Sequence, residues 1–138
     1  MALEQADILL VEDNAEDAEM TLRALRGRTL ASQVHWVKDG AEALEYLFCS
    51  GKYADRSPEH PKLVLLDIKM PKVDGIEVLR RVKGSELRAV PVVVMASSNE
   101  ERDVLESYRL GVNSYLIKPV RGEAFLETVA KIGLDWSR

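Results

Sequence analysis

The chain has 138 residues, 46% of them hydrophobic and 30% charged, which suits one compact domain over residues 1–138 and argues against disorder. A formal net charge of −4 and a pI near 5.3 set the overall field against nucleic acid. Cys49, the single cysteine, can form neither an intrachain disulfide nor a thiolate metal cluster, and no basic leader or run of ~20 apolar residues is present, so a cytoplasmic protein with no membrane contact is expected.

In chain order, Asp7 to Val11 is an apolar strand ending in two acids, Glu12 and Asp13. Asn14 is placed to cap a helix, with Asp17 at the capping-box position; Ala18, Leu22 and Leu25 share one face of it, and Gly27 ends it. Val34 to Val37 is a second, more mixed strand. After the Asp39-Gly40 turn, Ala41 to Phe48 reads as a helix with Ala43, Leu44, Leu47 and Phe48 inward. Residues 50–61 have no periodicity and hold Gly51, Pro58 and Pro61, which predicts a long surface loop.

Lys62 to Leu66 is a buried strand that stops at Asp67. Pro71 restricts φ and Gly75 frees it, so the loop after Asp67 has a set path. Asp67 lies too far from the next helix to cap it; Asp74 or Gly75 is better placed. Ile76, Leu79 and Val82 mark that third helix. Pro91 opens a fourth strand, Val92 to Ala96; Ser97, Ser98 and Asn99 are expected to cap a helix from Glu100 to Leu110, closed by Gly111. Ser114 to Ile117 is a short fifth strand before Lys118-Pro119, and Arg121 to about Leu134 is the last helix, with Phe125, Val129 and Ile132 inward. Five strands alternating with five helices, without polar alternation in the strands, predict an α/β parallel sheet covered on both faces, doubly wound.

Ligands of such sheets bind outside the carboxyl ends of the strands. Here those ends carry Glu12 and Asp13, Asp67, and Lys118. Taken singly, each charge reads as a cap or a solvated loop residue. Two carboxylates ~4 Å apart repel by about 1–4 kcal/mol, depending on the dielectric. A hard divalent cation, Mg²⁺ or Mn²⁺, relieves that repulsion, and acids with a cation and a lysine suit phosphoryl chemistry. His35 and His60 have no metal-ligand spacing.

Glu12-Asp13, Asp67 with Met70-Pro71 and Asp74-Gly75, and Lys118-Pro119 together resemble the receiver domain of two-component response regulators, over nearly the whole chain. Residues 50–61 and the sequence around Pro91 look most like the single-domain regulators that serve phytochrome-type histidine kinases. The resemblance implies the flavodoxin-like (βα)5 fold with strand order 2-1-3-4-5. It implies Asp67 as phosphoacceptor from a sensor histidine kinase, with Mg²⁺ held by Asp13, Asp67 and the Lys69 carbonyl and, through water, Glu12. Lys118 would pair with the phosphoryl oxygens, the bond to Pro119 would be cis, and Tyr115 would be the switch aromatic. The family's switch Ser/Thr falls on Ala96, which has no hydroxyl; the backbone N–H of Ser97 is expected to donate instead. Phosphorylation is then expected intact and coupling to Tyr115 weakened, and the space behind Ala96 is expected to let Tyr115 sit inward at rest. The Lys69 side chain is expected near the site mouth, either altering phosphoryl lifetime or simply solvated.

A homodimer through the last helix and fifth strand is a further expectation, with Leu134 and Trp136 adding apolar area unless Trp136 folds back on its own domain. The chain ends soon after its last helix, so no DNA-binding output domain is expected. Two rival readings remain. A haloacid-dehalogenase-type phosphohydrolase needs a second Asp where Lys69 stands; a scaffold with a decayed switch would follow from Ala96.

Overall fold

The computed structural model describes residues 7–26, 34–57, 59–70 and 73–133. The readings of Gly27, Pro58, Pro71, Leu134 and Trp136 fall outside the described residues.

Five parallel strands lie in the order β2-β1-β3-β4-β5: β1 Ile8–Val11, β2 Val34–Val37, β3 Leu63–Asp67, β4 Val92–Ala96 and β5 Ser114–Ile117. The helices are α1 Ala15–Arg26, α2 Gly40–Leu47, α3 Gly75–Lys83, α4 Glu101–Arg109 and α5 Gly122–Lys131. Strand side chains alternate between two cores. Leu9, Val11, Val64, Leu66, Val94 and Ala96 pack under α2, α3 and α4. Ile8, Leu10, Leu65, Val93, Met95 and Leu116 pack with Ala18, Leu25, Phe125 and Val129 of α1 and α5. Burial on both faces explains why β1, β3 and β4 read as unbroken apolar runs.

Asn14 and Asp74 cap as expected, and Asp39, expected only as part of a turn, caps α2; Asp17 completes no capping box, because the Asn14 N–H donates to Glu12 Oε2 at 3.2 Å. Asn14 Oδ1 accepts from the Asp17 N–H at 2.8 Å, Asp39 Oδ1 from Glu42 at 2.8 Å, and Asp74 Oδ1 from Glu77 at 3.0 Å. At α4 the expectation fails. No Ser97, Ser98 or Asn99 side chain caps it; Glu100 is the boundary residue, and its Oε1 accepts the Ser97 N–H at 2.8 Å. That bond closes the turn before the helix and caps none of its N–H groups; the Asp103 and Val104 N–H groups donate to the Glu100 carbonyl at 3.1 Å.

Three further corrections have simple causes. Phe48 is exposed and Tyr46 is buried in its stead, because α2 ends at Leu47 and Phe48 has left the helical path. Gly75 does not use a left-handed φ; a Cβ there would collide with the Asp67 carbonyl oxygen, so the glycine serves close approach. Residues 50–61 are not a mere surface loop. They open with a 3₁₀ turn, Gly51–Tyr53, and bury Tyr53, Arg56 and Pro61. The Arg56 guanidinium stacks on the Tyr46 ring at 4.2 Å and donates to the carbonyls of Tyr46 (2.7 Å) and Glu59 (2.9 Å).

Candidate functional site

The register assembles the site. Val11 of β1 pairs with Leu66 of β3, so the next residues, Glu12 and Asp67, emerge level at the sheet edge. Ala96 pairs with Ile117, and the Lys118 N–H donates to the Ala96 carbonyl at 2.9 Å, which carries Lys118 to the same edge. Lys118 Nζ then lies 3.0 Å from Asp67 Oδ1, 3.2 Å from Glu12 Oε1 and 3.6 Å from Asp17 Oδ2. The peptide bond between Lys118 and Pro119 is cis.

Glu12 is fully buried and Asp67 nearly so, while Asp13 is exposed at the mouth. Oxygens of the three lie within 4.8 Å of one another. Glu12 Oε1 is buried and takes no directed hydrogen bond; it pairs with the Lys118 ammonium at 3.2 Å. A carboxylate oxygen with no directed hydrogen bond, beside two more carboxylates, is the donor set that Mg²⁺ or Mn²⁺ prefers, so these residues fit such an ion. Burial first, and then the Glu12 carboxylate, push Asp67 up to about 8, against the opposing pull of Lys118. Lys118 is also raised: burial disfavours its charge, but Asp67 and Glu12 outweigh that. The two directions agree physically, because two buried carboxylates and one ammonium carry a net negative charge that favours an added proton.

The remaining predicted residues divide. The Lys69 N–H donates to Asp67 Oδ1 at 3.3 Å, but its side chain leaves the acids and pairs with Asp103 Oδ2 of α4 at 3.1 Å. The Ser97 N–H, expected to face a phosphoryl group, is held by Glu100. Ala96 is fully buried. Tyr115 does not sit inward: it is 42% exposed and meets Tyr108 edge-to-face at 6.2 Å, so α4 offers it a partner outside the core. Sequence reasoning missed four contributors. Asp17 carried a signal, since the first turn of α1 starts at the strand end that bears Glu12 and Asp13. Glu100 and Asp103 carried none beyond being acids early in α4. The Trp36 indole N–H, which donates to the Glu12 carbonyl at 2.8 Å, lies on another strand.

A parallel doubly wound sheet whose switch-point edge gathers three acids and a lysine is the arrangement that the resemblance to receiver domains implies. The profile of the response regulator receiver domain matches residues 8–130, and the chain belongs to that family. It is 43% identical to the probable methanogenesis regulatory protein FilR2 of Methanothrix harundinacea (95% of this chain, 85% of that protein) and 42% identical to response regulator Rcp1 of Synechocystis (94% and 87%). The solved structure of the bacteriophytochrome response regulator AtBRR superposes with a TM-score of 0.89 at 49% identity, covering 99% of this chain and 98% of that one. The Mn²⁺-bound form of Rcp1 superposes with a TM-score of 0.76 at 34% identity, covering 95% and 98%. Receiver domains are signalling modules that bind Mg²⁺ or Mn²⁺ at an acidic pocket and are phosphorylated by sensor histidine kinases. Among the described residues, no helix is long and apolar enough to cross a membrane.

Proposed function

We propose that this protein is a phosphoacceptor switch in which Asp67 receives a phosphoryl group from a sensor histidine kinase, in a Mg²⁺-dependent step, and signals from the cytoplasm through protein contacts. The observation that carries the reading is the Asp67 carboxylate, 3.0 Å from Lys118 and within metal-sharing distance of Glu12 and Asp13. An Asp67 oxygen attacks phosphorus, the bond between phosphorus and the kinase imidazole nitrogen breaks, and that nitrogen keeps the electron pair. Lys118, already beside Oδ1, then faces the charge on the new phosphoryl oxygens. Asp13, Asp67 and the Lys69 carbonyl would hold the cation, with Glu12 acting through water. When bound, it would offset the carboxylate repulsion and neutralise charge developing on the transferred group. The likeness to the bacteriophytochrome response regulator AtBRR supports a phytochrome-type kinase as the donor.

The test is incubation with acetyl phosphate and Mg²⁺, read by intact mass. One added phosphoryl per chain is expected in the wild type and none in Asp67→Asn or with a chelator. Label persisting in Asp67→Asn would sink the assignment, and undiminished labelling after chelation would remove the metal's role. A phosphohydrolase would instead turn the donor over continuously.

A further inference from the structure

With alanine at position 96, two groups near Asp67 remain as extra donors to a phosphoryl oxygen: the Ser97 N–H and the Lys69 ammonium. In this structure both are engaged elsewhere, and by the same element. Glu100 Oε1 accepts from Ser97 at 2.8 Å, and Asp103 Oδ2 pairs with Lys69 at 3.1 Å. Both acids belong to the entry and first turn of α4. The Lys69 backbone already touches Asp67 Oδ1, so its side chain pivots from a point beside the acceptor. Lys69 and residues 99–103 line an open cleft of about 550 Å³.

Resting on the phosphoacceptor reading, we propose that Glu100 and Asp103 act as a clasp: they hold Ser97 and Lys69 at rest, and the phosphoryl group on Asp67 takes both donors from them. The acyl phosphate carries nearly two negative charges and three strong acceptor oxygens where the Asp67 carboxylate carried a single charge, a net gain of about one. It competes for both donors and repels both acids, which frees the entry of α4. That helix carries Leu105 and Tyr108, so release at its start reaches the exposed apolar face. Glu100, Asp103 and Lys69 are positioning residues on this account. The clasp takes over part of the coupling that a switch hydroxyl would supply.

The experiment titrates beryllium fluoride with Mg²⁺, a phosphoryl mimic, into the full chain at physiological salt and reads amide shifts by NMR. Saturable binding by wild type but not by Asp67→Asn isolates the underlying reading; without that difference, the reading and the clasp fall together. Given binding, Asp103→Asn is expected to tighten the mimic roughly two- to fivefold, the scale of one exposed ion pair. The gain is expected to vanish in a Lys69→Gln background. Glu101→Gln, which removes the same charge from the same turn, is expected to change little, since Asp103 and not Glu101 is the acid paired with Lys69 and an exposed unpaired charge is screened. Glu100→Ala is expected to shift the resting Ser97 amide, and the mimic to shift that amide in the wild type. An Asp103→Asn gain that survives Lys69→Gln, an equal gain from Glu101→Gln, or a Ser97 amide indifferent to the mimic would overturn the clasp while leaving Asp67 as acceptor.

Discussion

Asp67, the proposed nucleophile, is held where its charge is unwelcome. A group's pH effect on stability depends on the difference between its folded and unfolded pKa. Here the folded value, about 8, lies above the ordinary 3.8, so the folded state binds the proton more tightly. The penalty of the charged form is therefore absent at low pH, grows as pH rises from about 4 to 8, and is complete above that. Asp67→Asn removes it without changing shape. Thermal melts in chelator should show the variant more stable than wild type, by a margin larger at pH 9 than at pH 5.5, and Mg²⁺ should narrow the margin. Equal margins at both pH values would refute this account of the site. Ala96 poses the complementary case of a missing group. Ala96→Thr supplies a hydroxyl, and hydrogen bonds to charged groups contribute ~1.5–3 kcal/mol, roughly ten- to hundredfold in a population shift. The variant should respond more strongly to the phosphoryl mimic, read by Tyr115 and α4 resonances, with little change in initial labelling rate. An unchanged response would mean that Ser97 and Lys69 already suffice.

Elements at the sheet edge are tied down by polar contacts as much as by apolar ones. Tyr53, in the 3₁₀ turn, donates to Glu42 Oε2 of α2 at 2.7 Å, and its hydroxyl lies 2.8 Å from His35 Nε2 of β2. Burial opposes the Glu42 charge, but Lys52 at 2.8 Å, the Tyr53 hydroxyl and the Lys38 N–H outweigh it and hold the carboxyl down at about 2. Arg56 binds the other end of the segment to α2. Its removal leaves the Tyr46 carbonyl without this donor, and such losses cost about 1–3 kcal/mol. Arg56→Ala should therefore lower unfolding free energy by roughly that amount, with increased amide exchange concentrated in residues 50–60. A loss under ~0.5 kcal/mol in denaturant melts would restore the view of this segment as a passive loop.

For the whole molecule, one face stands out. Leu105, Tyr108, Tyr115 and Ile117, from α4 and β5, are all exposed around an open cleft of about 550 Å³. Contiguous exposed apolar groups mark interaction surfaces. A homodimer through this region remains the proposal, now centred on α4 and β5. Leu105 is 66% exposed, so Leu105→Asp should leave monomer stability within ~0.5 kcal/mol and weaken self-association at least about tenfold by sedimentation. Monomer at every concentration in the wild type, with and without phosphodonor, would end the proposal.

The five strands, the parallel sheet and the charged strand ends were legible in the chain because each is a local pattern: apolar runs of four or five residues closed by acids, caps or glycine. Resemblance supplied the strand order and the joint meaning of Asp67, Asp13 and Lys118. Long-range placement decided the rest. Glu100 and Asp103 read as ordinary acids of a helix start; Glu100 reaches Ser97 within one local turn, whereas only the packing of α4 beside the β3–α3 loop brings Asp103 to Lys69. Tyr115 reads as an inward switch residue, yet its orientation depends on Tyr108, seven residues away in sequence and on another element. Residues 50–61 carry no period because they are held by hydrogen bonds and ring contacts to α2 and β2, and such contacts leave no repeat in a sequence.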